Sequence, residues 1–385
     1  MIIIFWISIL MLFYTYIGYP IYVFVRAKRY KNAVLKDADF RPKVSVIMSA
    51  YNEGSYIEKK IKNLLESSYP KDDLETLVGS DGSTDATDQI LSRMADKRVK
   101  VFCYKDRRGK PSVLNDLVLQ ATGEILVFCD VRQLFEKSAI SELVSNFSDE
   151  NIGCVSGELI FKSLAQDTEI AKGVGAYWDY EKFIRRCESA VHSMVGATGA
   201  IYAIRKALYL PVPSDIVLDD VYIPLNISRM GYRTILDQDA KAYDRPAMET
   251  SEEYRRKVRT LAGNYQIFSM FKDLLVPFLR PVSLALVSHK LFRVIAPFFM
   301  ISVFVSNLFM AMEGSYILFL MAQIAFYALA IVGALTCRQK NKKFVIKIAS
   351  TAYIFCFLNF TAIVGLYRFL SGKQKIAWER SEVRG

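Results

Sequence analysis

The sequence contains few of the residues that build metal clusters and disulfide scaffolds. Only two histidines occur among 385 residues, His192 and His289, which excludes a histidine-rich metal site. The six cysteines have no paired spacing, and Cys129 lies in an apolar stretch, so buried reduced thiols of a cytosolic domain are the better interpretation. No Lys-Ser/Thr pair follows the glycines of 196–199, so a close-packed turn is expected there and not a phosphate loop.

Charge is absent from the first segment of the chain. Residues 2–25 contain no charged side chain, and about 20 apolar residues are enough to cross a bilayer. A cleaved signal peptide is not expected, because a basic n-region and a small-residue cleavage site are both lacking. The basic cluster Arg26, Lys28, Arg29 and Lys31 follows at once, and the positive-inside rule therefore predicts that the chain after it is cytoplasmic.

Further apolar segments lie near the C-terminus, at about 292–312, 316–335 and 344–370. The segment before them, 270–289, mixes apolar and basic residues with prolines, which is typical of an interfacial amphipathic segment. The basic loop 338–347 is expected inside. A simple fourth crossing would leave the basic tail 373–384 outside, so the last apolar segment is either re-entrant or crosses against the charge bias.

The composition restricts the class of partner. A hydrophobic content of 52% is too high for a purely soluble enzyme, and the lipid bilayer is an expected partner. The formal net charge is +11, but much of the excess borders the apolar segments, where anionic headgroups explain it. Nucleic acid is therefore not an expected partner.

Between the apolar segments the chain alternates short strands with amphipathic helices. From 44 to 129 the order is strand, helix, strand, helix, strand, helix, strand, which predicts an α/β domain with a parallel sheet covered on both faces. Tyr51 and Glu53 follow the first strand, Asp81 ends the second, and Asp130 follows the fourth. Ligands of open α/β sheets bind beyond the carboxyl ends of the strands, so these side chains are expected to converge on one nucleotide-binding crevice.

The second half of this domain has a less regular pattern. It contains a strand at 154–161, a helix at about 167–188 that carries Tyr177 and Trp178, and a helix that begins at Asp219-Asp220. The acidic pair is either functional or an ordinary helix N-terminus favoured by the helix dipole. Asp81 likewise either binds a ligand or caps the turn that follows it. Tyr177 and Trp178 either line a sugar site or pack in the core.

The order and spacing of these pieces resemble the membrane-integrated family 2 glycosyltransferases, the group that includes hyaluronan, chitin and cellulose synthases and related exopolysaccharide enzymes. The resemblance covers nearly the whole chain and rests on five motifs in the same order. It implies a cytosolic GT-A-type domain with a parallel-rich sheet, flanked by transmembrane helices. The implied domains are an N-terminal transmembrane helix (1–26), a linker (27–42), the GT-A domain (43–264), an interfacial segment (265–290), about three C-terminal transmembrane helices (291–371) and a basic tail (372–385).

The resemblance also implies how the donor is bound. Tyr51 and Glu53 match residues that hold the nucleoside, and the carboxylate of Ser80-Asp81-Gly82-Ser83 matches one that contacts the base. Lys110 of the Gly-Lys pair matches a lysine that reaches the diphosphate or the donor sugar. The expected donor is therefore a nucleotide sugar, with UDP as the favoured nucleotide.

Catalytic and metal-binding roles follow from the same resemblance. Asp130 matches the first residue of a metal-binding Asp-x-Asp motif for Mg²⁺ or Mn²⁺, and the pair Asp219-Asp220 matches the acids that supply the catalytic base. A displacement at a sugar carbon requires a base for the acceptor hydroxyl proton, for which we favour Asp220 with Asp219 orienting a partner. It also requires positive charge to stabilise the leaving diphosphate.

The sequence departs from the family pattern in two places. Arg132 replaces the second Asp of Asp-x-Asp, and the Gln-x-x-Arg-Trp motif appears as 256–260 with only its Arg retained. Arg132, Arg256 and Arg259 can offer fixed positive charge to a diphosphate, although 255–259 can also form a basic face on lipid headgroups. The absent Trp leaves the acceptor and the processivity open.

Three functions are consistent with this sequence. The first is an inverting glycosyltransferase that elongates a polysaccharide and passes it through its own membrane helices. Polar residues expected along such a path are Tyr14, Tyr16, Asn307, Tyr327 and Asn359, or a second protomer completes the path. The second is transfer of one sugar to a lipid acceptor, such as a polyprenyl phosphate or a glycolipid. The third is a catalytically weak membrane subunit.

Overall fold

The computed structural model describes residues 1–161, 169–244, 250–336 and 344–372, with the side chains at 169–177, 250–253 and 344–347 outside the description. Cys337, most of the predicted basic loop and the predicted basic tail from 373 therefore lie outside the described residues. The chain divides into two compact units. One, the helical unit, comprises Met1–Tyr30, Ser163–Glu188 and Pro246–Gln374, and the other, the sheet unit, is built from Lys31–Lys162 and Ser189–Arg245.

An eight-stranded sheet forms the centre of the sheet unit. Its strands are β1 (Val44–Ala50), β2 (Leu74–Asp81), β3 (Val99–Tyr104), β4 (Ile125–Cys129), β5 (Leu134–Phe135), β6 (Ile152–Phe161), β7 (Ile201–Arg205) and β8 (Arg233–Asp244). Their spatial order is β3-β2-β1-β4-β7-β6-β8-β5.

The helices of both units are, in chain order, α1 (Ile2–Phe13), α2 (Tyr19–Arg29), α3 (Ile57–Leu65), α4 (Thr87–Ser92), α5 (Lys110–Gln120), α6 (Ala139–Ser145), α7 (Glu169–Val191), α8 (Asp219–Arg229), α9 (Thr250–Met270), α10 (Pro281–Ala285), α11 (Phe292–Met312), α12 (Ile317–Thr336) and α13 (Phe344–Leu370). Short π-helical turns join α1 to α2 at Tyr14–Gly18 and α10 to α11 at Leu286–Leu291.

The sheet is parallel in the half that the sequence predicts best. β1 pairs in parallel with β2 and β4, and β2 pairs in parallel with β3, which confirms the predicted α/β architecture. β7 is antiparallel to both β4 and β6, so the sheet is mixed. The sequence did not predict β7, because a five-residue apolar run cannot be assigned to a strand or a helix from periodicity alone. β8 was missed because polar residues interrupt its pattern where its register with β6 shifts.

Alternation along β1 explains why both faces of the sheet are covered. Val46 and Met48 pack in one buried cluster, and Ile47 packs in the cluster on the other face. All three side chains are fully buried. Successive strand residues point to opposite faces, so the continuous apolar run at 46–48 requires helices on both sides.

The half-buried carboxylate of Glu75 ties three segments of the sheet unit together. Its Oε1 accepts hydrogen bonds from Ser45 Oγ at 2.6 Å and from Thr122 N at 2.7 Å, and Lys100 Nζ lies 2.7 Å from Oε2. Burial raises the pKa of Glu75, but the bonds from Lys100, Ser45 and Thr122 outweigh it and lower this pKa to about 2. Because the folded-state pKa lies below the ordinary value of 4.5, the stabilisation is present above that pH and is lost as the pH falls toward 2.

We expect Glu75→Gln to lower the free energy of unfolding of the sheet unit at neutral pH by about 2–3 kcal/mol, since one pKa unit corresponds to about 1.4 kcal/mol. Thermal unfolding of the detergent-solubilised protein, followed at several pH values, measures the effect. The difference between variant and wild type should shrink as the pH falls below about 4. Glu58→Gln, which removes an exposed partner of Lys62, is the matched control and should cause no measurable change. Equal effects of the two variants would contradict the assignment of this stabilisation to the Glu75 carboxylate.

Within the described ranges, four helical stretches are long and apolar enough to cross a membrane: Ile2–Arg29, Pro281–Met312, Ile317–Thr336 and Ile348–Leu370. The number of apolar segments agrees with the sequence prediction. α13 is one continuous helix, and its part Ile348–Leu370 is long and apolar enough to cross a membrane. The helix before α12 begins at Pro281, about 11 residues ahead of the predicted apolar segment at 292.

A cluster of ionic side chains explains that earlier start. His289 contacts Glu181 at 3.0 Å through Nε2 and Glu188 at 2.9 Å through Nδ1, and Arg293 pairs with Glu181. Tyr19 donates a hydrogen bond of 2.8 Å to Glu188. Burial raises the pKa of Glu181, but His289 and Arg293 outweigh it and hold this pKa well below its usual value. The polar residues expected at a membrane interface therefore bind buried carboxylates of α7.

Polar side chains elsewhere in the helical unit bind one another. Tyr16 donates to Asn359 Oδ1 at 3.2 Å, and Asn307 Nδ2 donates to Gln323 Oε1 at 3.4 Å. Gln323 Nε2 lies 3.4 Å from the hydroxyl of Tyr327. The hydroxyl of Tyr14 lies 2.8 Å from Ser288 Oγ. All five residues predicted to line a sugar path thus have partners within the helical unit.

Candidate active site

The segments that follow β1 and β2 are bonded to each other. Asn52 has a positive φ of 52°, its N–H donates to Ser83 Oγ at 3.1 Å, and its Oδ1 accepts from Thr84 N at 2.8 Å. Glu53 N donates to the hydroxyl of Thr87 at 2.8 Å. These bonds hold the β1 exit, which begins with Tyr51, against the β2 exit. They bring together the side chains that the sequence assigned to nucleoside binding.

Asp81 fixes the loop that leads into α5. Its Oδ1 accepts a hydrogen bond from Arg108 N at 2.7 Å and its Oδ2 accepts one from Gly109 N at 2.9 Å. The carboxylate is 3% exposed, so these bonds are protected from water. Each oxygen keeps a second lone pair, so Asp81 combines this structural role with capacity for a ligand N–H. The sequence offered ligand binding or a cap on the turn after β2 as alternatives, and it did not predict these bonds to the loop before α5.

Lys110, the first residue of α5, connects the two groups of acids that the sequence predicts. Its Nζ lies 3.0 Å from Asp130 Oδ1, beyond β4, and 3.2 Å from Asp219 Oδ2, at the start of α8. Burial lowers the pKa of Lys110, but the charges of Asp130, Asp219 and Asp220 outweigh it and raise this pKa above its ordinary value. The ammonium group is therefore a fixed positive charge at the carboxyl end of the sheet.

The glycine segment 196–199 packs against the start of α8. Gly196 has a φ of +80°, and Ala197 N donates a hydrogen bond of 2.7 Å to the carbonyl of Asp220. A Cβ on Gly199 would lie 2.9 Å from Asp220 Oδ2. The segment is thus a close-packed turn, as predicted, and it leaves no room for a side chain beside the Asp220 carboxylate.

Arg132, which replaces the second Asp of Asp-x-Asp, lies beside Glu53. Its Nε is 3.5 Å from Glu53 Oε1, and its guanidinium carbon is 5.8 Å from the ring centre of Tyr56. Glu53 is 6% exposed, so the positive charge of Arg132 helps to stabilise a buried carboxylate. The sequence assigned the two side chains to different parts of the donor and did not predict that they interact.

The predicted site residues divide between the two units. The sheet unit contains Tyr51, Glu53, Asp81, Lys110, Asp130, Arg132, Asp219 and Asp220. Arg256 and Arg259 lie on α9 and Trp178 lies on α7, all in the helical unit. Lys257 Nζ is 5.6 Å from the Trp178 ring centre. Tyr177 is helical, but its side chain lies outside the described residues.

The sequence analysis missed Arg107, although it stands in the basic run that ends with Gly-Lys. Its guanidinium carbon lies 3.7 Å from the centre of the Tyr51 ring. A basic residue between β3 and the Gly-Lys pair was the available signal. Its target depends on the conformation of the loop, which the sequence does not specify.

The oxygen donors present fit a divalent cation that is held partly by its substrate. Asp130 is 45% exposed at the side chain, and among the described residues only its Oδ1 has a recorded partner. Mg²⁺ is usually bound by one or two carboxylates together with substrate phosphates and water. A separate acidic group, Glu142, Asp237 and Asp239, could also hold a metal ion, but in this structure its oxygens contact the ammonium group of Lys36.

Part of the chain matches the model of a known protein family. The model of glycosyl transferase family 2 matches residues 45–205. The poly-beta-1,6-N-acetyl-D-glucosamine synthase of Staphylococcus aureus (strain COL) is 21% identical over 272 residues, which cover 67% of this chain and 64% of that protein. The chain thus spans slightly less than two thirds of the length of this curated relative. The probable glycosyltransferase YdaM of Bacillus subtilis is 34% identical over 123 residues, or 30% of this chain and 29% of YdaM.

A solved structure has the same fold. The mannosyltransferase PcManGT from Pyrobaculum calidifontis, in complex with GDP-Man and Mn²⁺, superposes with a TM-score of 0.72 at 24% identity. The alignment covers 96% of this chain and 99% of that one. The fold is therefore GT-A-like, with a largely parallel mixed sheet and apolar helices before and after it that could span a membrane.

Proposed function

We propose that this chain, whose residues 45–205 form a family 2 glycosyltransferase domain, transfers a sugar from a nucleotide sugar to a growing polysaccharide with inversion at the sugar carbon. The observation that carries the proposal is the position of Lys110, whose Nζ bridges Asp130 and Asp219 at 3.0 and 3.2 Å. One fixed cation thereby stands between the acid that follows β4 and the acid pair that begins α8. Such a cation can stabilise the charge that develops on a leaving diphosphate when a hydroxyl displaces it.

In the proposed reaction the acceptor hydroxyl attacks the anomeric carbon, and the bond from that carbon to the diphosphate oxygen breaks. Asp220 accepts the hydroxyl proton, and the electron pair of the broken bond leaves with the nucleoside diphosphate. Lys110 Nζ already contacts Asp219 Oδ2 at 3.2 Å, so we assign the base to the second acid of the pair. Lys110 also provides positive charge for the leaving group.

A divalent cation, Mg²⁺ or Mn²⁺, fits the proposal. Asp130 would hold it together with oxygens of the donor diphosphate, and the cation would neutralise charge that grows on the leaving group. Arg132 stands where the family supplies a second carboxylate. We propose that it gives the diphosphate a positive charge in place of a ligand.

The proposal also covers the nucleotide that carries the donor sugar and the side of the membrane on which the catalytic domain lies. We propose UDP as the carrier, with Tyr51 and Asp81 at the base. The basic residues at 26–31 follow the first apolar helix, which supports a catalytic domain on the cytoplasmic side of the cell membrane. The four candidate membrane helices offer little surface to enclose a hydrated sugar chain. Export of a polymer would therefore require a second protomer.

A second candidate function is transfer of a single sugar to a lipid acceptor, such as a polyprenyl phosphate or a glycolipid. The observation that favours it is the pairing of Tyr16 with Asn359 and of Asn307 with Gln323, which uses polar groups that a sugar path would need. A sugar hydroxyl that binds one of these side chains must displace its present partner, so the existing hydrogen bond is lost.

Product sizing on the purified full chain in lipid vesicles tests these candidates. We expect release of free nucleotide from one member of a panel of UDP- and GDP-sugars, in the presence of Mg²⁺ or Mn²⁺. Material of many sugar units protected inside the vesicles supports the polysaccharide. One added sugar on an extractable lipid supports the second candidate and overturns the first. Turnover of no nucleotide sugar, although a donor binds, indicates a catalytically weak subunit.

A further inference from the structure

Lys60 of α3 is a buried amine for which the reaction above has no role. Its side chain is fully buried, although lysine is among the residues least often found inside a protein. Its Nζ donates a hydrogen bond of 2.6 Å to the backbone carbonyl of Gln133 and lies 3.8 Å from the centre of the Phe135 ring. Burial removes the contacts of the amine with water, so these partners replace them. Both partners belong to the segment that follows Asp130.

The same face of α3 makes further contacts with that segment. The ring centre of Tyr56, the residue just before the helix, lies 5.8 Å from the guanidinium carbon of Arg132. Asn63 bonds to both backbone groups of Phe135, because its Nδ2 donates to the carbonyl at 2.9 Å and its Oδ1 accepts from the N–H at 2.7 Å. Positions 56, 60 and 63 are four and three residues apart, the spacing that places side chains on one face of a helix.

This face of α3 and the segment 132–135 match in length. From 56 to 63 the helix rises by about 10 Å, at about 1.5 Å per residue. Three steps of extended chain from 132 to 135 also cover about 10 Å, at about 3.3 Å per residue. The segment can therefore lie along the helix and meet a side chain of α3 at each end and a third one between them.

We propose that Lys60 and Asn63 are positioning residues of the transfer reaction. They hold the segment 132–135 at one place along α3, so that Asp130 and Arg132, which follow β4 on the same stretch of chain, reach the donor diphosphate together. Asp130 would do so through a divalent cation and Arg132 through its own charge. The inference rests on the proposed function, because it requires a diphosphate donor and a metal ion held by Asp130.

The location of α3 explains why a contact with it can matter for the reaction. The helix begins shortly after the exit of β1, where Glu53 Oε1 lies 3.5 Å from Arg132 Nε. The segment 132–135 follows β4, which is the neighbour of β1 in the sheet. Contacts from α3 therefore fix the residues after β4 relative to those after β1. A shift of about 1 Å in a group that acts on the substrate can lower the rate by about 10²-fold.

The segment 132–135 has a second support on its other side. β5, which contains Phe135, pairs with β8, and Gln133 Nε2 donates a hydrogen bond of 2.7 Å to Asp244 Oδ2 at the end of β8. Variants at Lys60 and Asn63 remove only the bonds to α3. We therefore expect these variants to fold with the segment displaced.

The test compares Lys60→Met, Lys60→Arg and Asn63→Ala with Lys62→Met in the full chain. Lys62 is the matched control, because it lies on the same helix but is 65% exposed at the side chain and pairs with Glu58. Calorimetry measures the binding of UDP and GDP to each variant with and without Mn²⁺. Nucleotide release measures transfer, and thermal unfolding shows which variants are folded.

We expect Lys60→Met to bind nucleotide without Mn²⁺ within about twofold of wild type, while the increase in affinity that Mn²⁺ provides falls by about tenfold. Transfer with saturating donor and Mn²⁺ should fall by about 10–100-fold. Asn63→Ala should show the same pattern with smaller losses. Lys60→Arg keeps a donor for the Gln133 carbonyl and should recover part of both losses. Lys62→Met should behave as wild type.

Equal losses of affinity with and without Mn²⁺ would indicate a general structural role and overturn the inference. Wild-type Mn²⁺ dependence and transfer in Lys60→Met and Asn63→Ala would overturn it as well, with the proposed function intact. If Lys60→Met does not fold, Asn63→Ala decides between these outcomes. A wild-type chain that binds no nucleotide, or whose binding does not respond to Mn²⁺, would overturn the inference together with the donor or the metal of the proposed function.

Discussion

Replacing Asp220 with Asn lowers sugar transfer by about 10²–10⁴-fold, the usual cost of removing a general base, while nucleotide binding stays near wild type. The amide has nearly the shape of the carboxylate, so it fits beside Gly199 without disturbing the turn. It cannot accept the acceptor proton. Nucleotide release under saturating donor measures the catalytic loss, and calorimetry with UDP or GDP measures binding.

The control for this prediction is Asp215→Asn, an exposed acid in the segment before α8, which should transfer at close to the normal rate. An Asp220→Asn variant that retains more than about a third of wild-type transfer contradicts the base assignment. In that case Asp219→Asn becomes the next variant to test, because the two acids stand in the same helical turn.

The second large effect is expected at Lys110. Lys110→Met removes the cation between Asp130 and Asp219, so their carboxylates lose the countercharge that Lys110 provides. We expect both the binding of the diphosphate and the stabilisation of the leaving group to be weakened. We expect transfer to fall by about 10²–10³-fold, with weaker binding of UDP or GDP. Lys97→Met, at an exposed position before β3, is the matched control and should have little effect.

The pH dependence of sugar transfer and a charge-conserving variant distinguish the effect of the Lys110 charge from the effect of its shape. The folded-state pKa of Lys110 is raised above the ordinary 10.5, so its positive charge is fully present below that pH and is lost only at higher pH. Wild-type transfer should therefore show no loss from Lys110 deprotonation between about pH 6 and 9. Lys110→Arg retains the charge and should recover part of the activity that Lys110→Met loses. Equal activity of the Met and Arg variants would contradict an electrostatic role.

The sequence predicts those parts of the fold that depend on local pattern. The alternating strands and helices from 44 to 129 predicted the parallel half of the sheet, and the position of acids after strands predicted that Asp81 and Asp130 share its carboxyl end. The strand β8 was not predicted, because the shift in its pairing with β6 depends on tertiary contacts. The sheet's mixed character follows from β7 and β5, which pair antiparallel with their neighbours and are too short to have a periodicity of their own.

The contacts within the site were harder to predict than its members. Asp81 was assigned to a ligand or a cap, and its bonds to Arg108 N and Gly109 N depend on the path of a loop more than 25 residues away in sequence. The pairing of Arg132 with Glu53 similarly joins two strand exits whose distance is set by the sheet. Residue type and spacing indicate what chemistry is available, whereas loop conformation decides which groups meet.

The cluster of Glu181, Glu188, His289 and Arg293 constrains the order in which the helical unit assembles. The polar start of the helical stretch Pro281–Met312 is costly to place near hydrocarbon without counter-ions, and its acidic partners come from α7, about 100 residues earlier in the chain. α7 precedes Pro281–Met312 in the chain, so the carboxylates that neutralise the polar start of this helical stretch are synthesised before it.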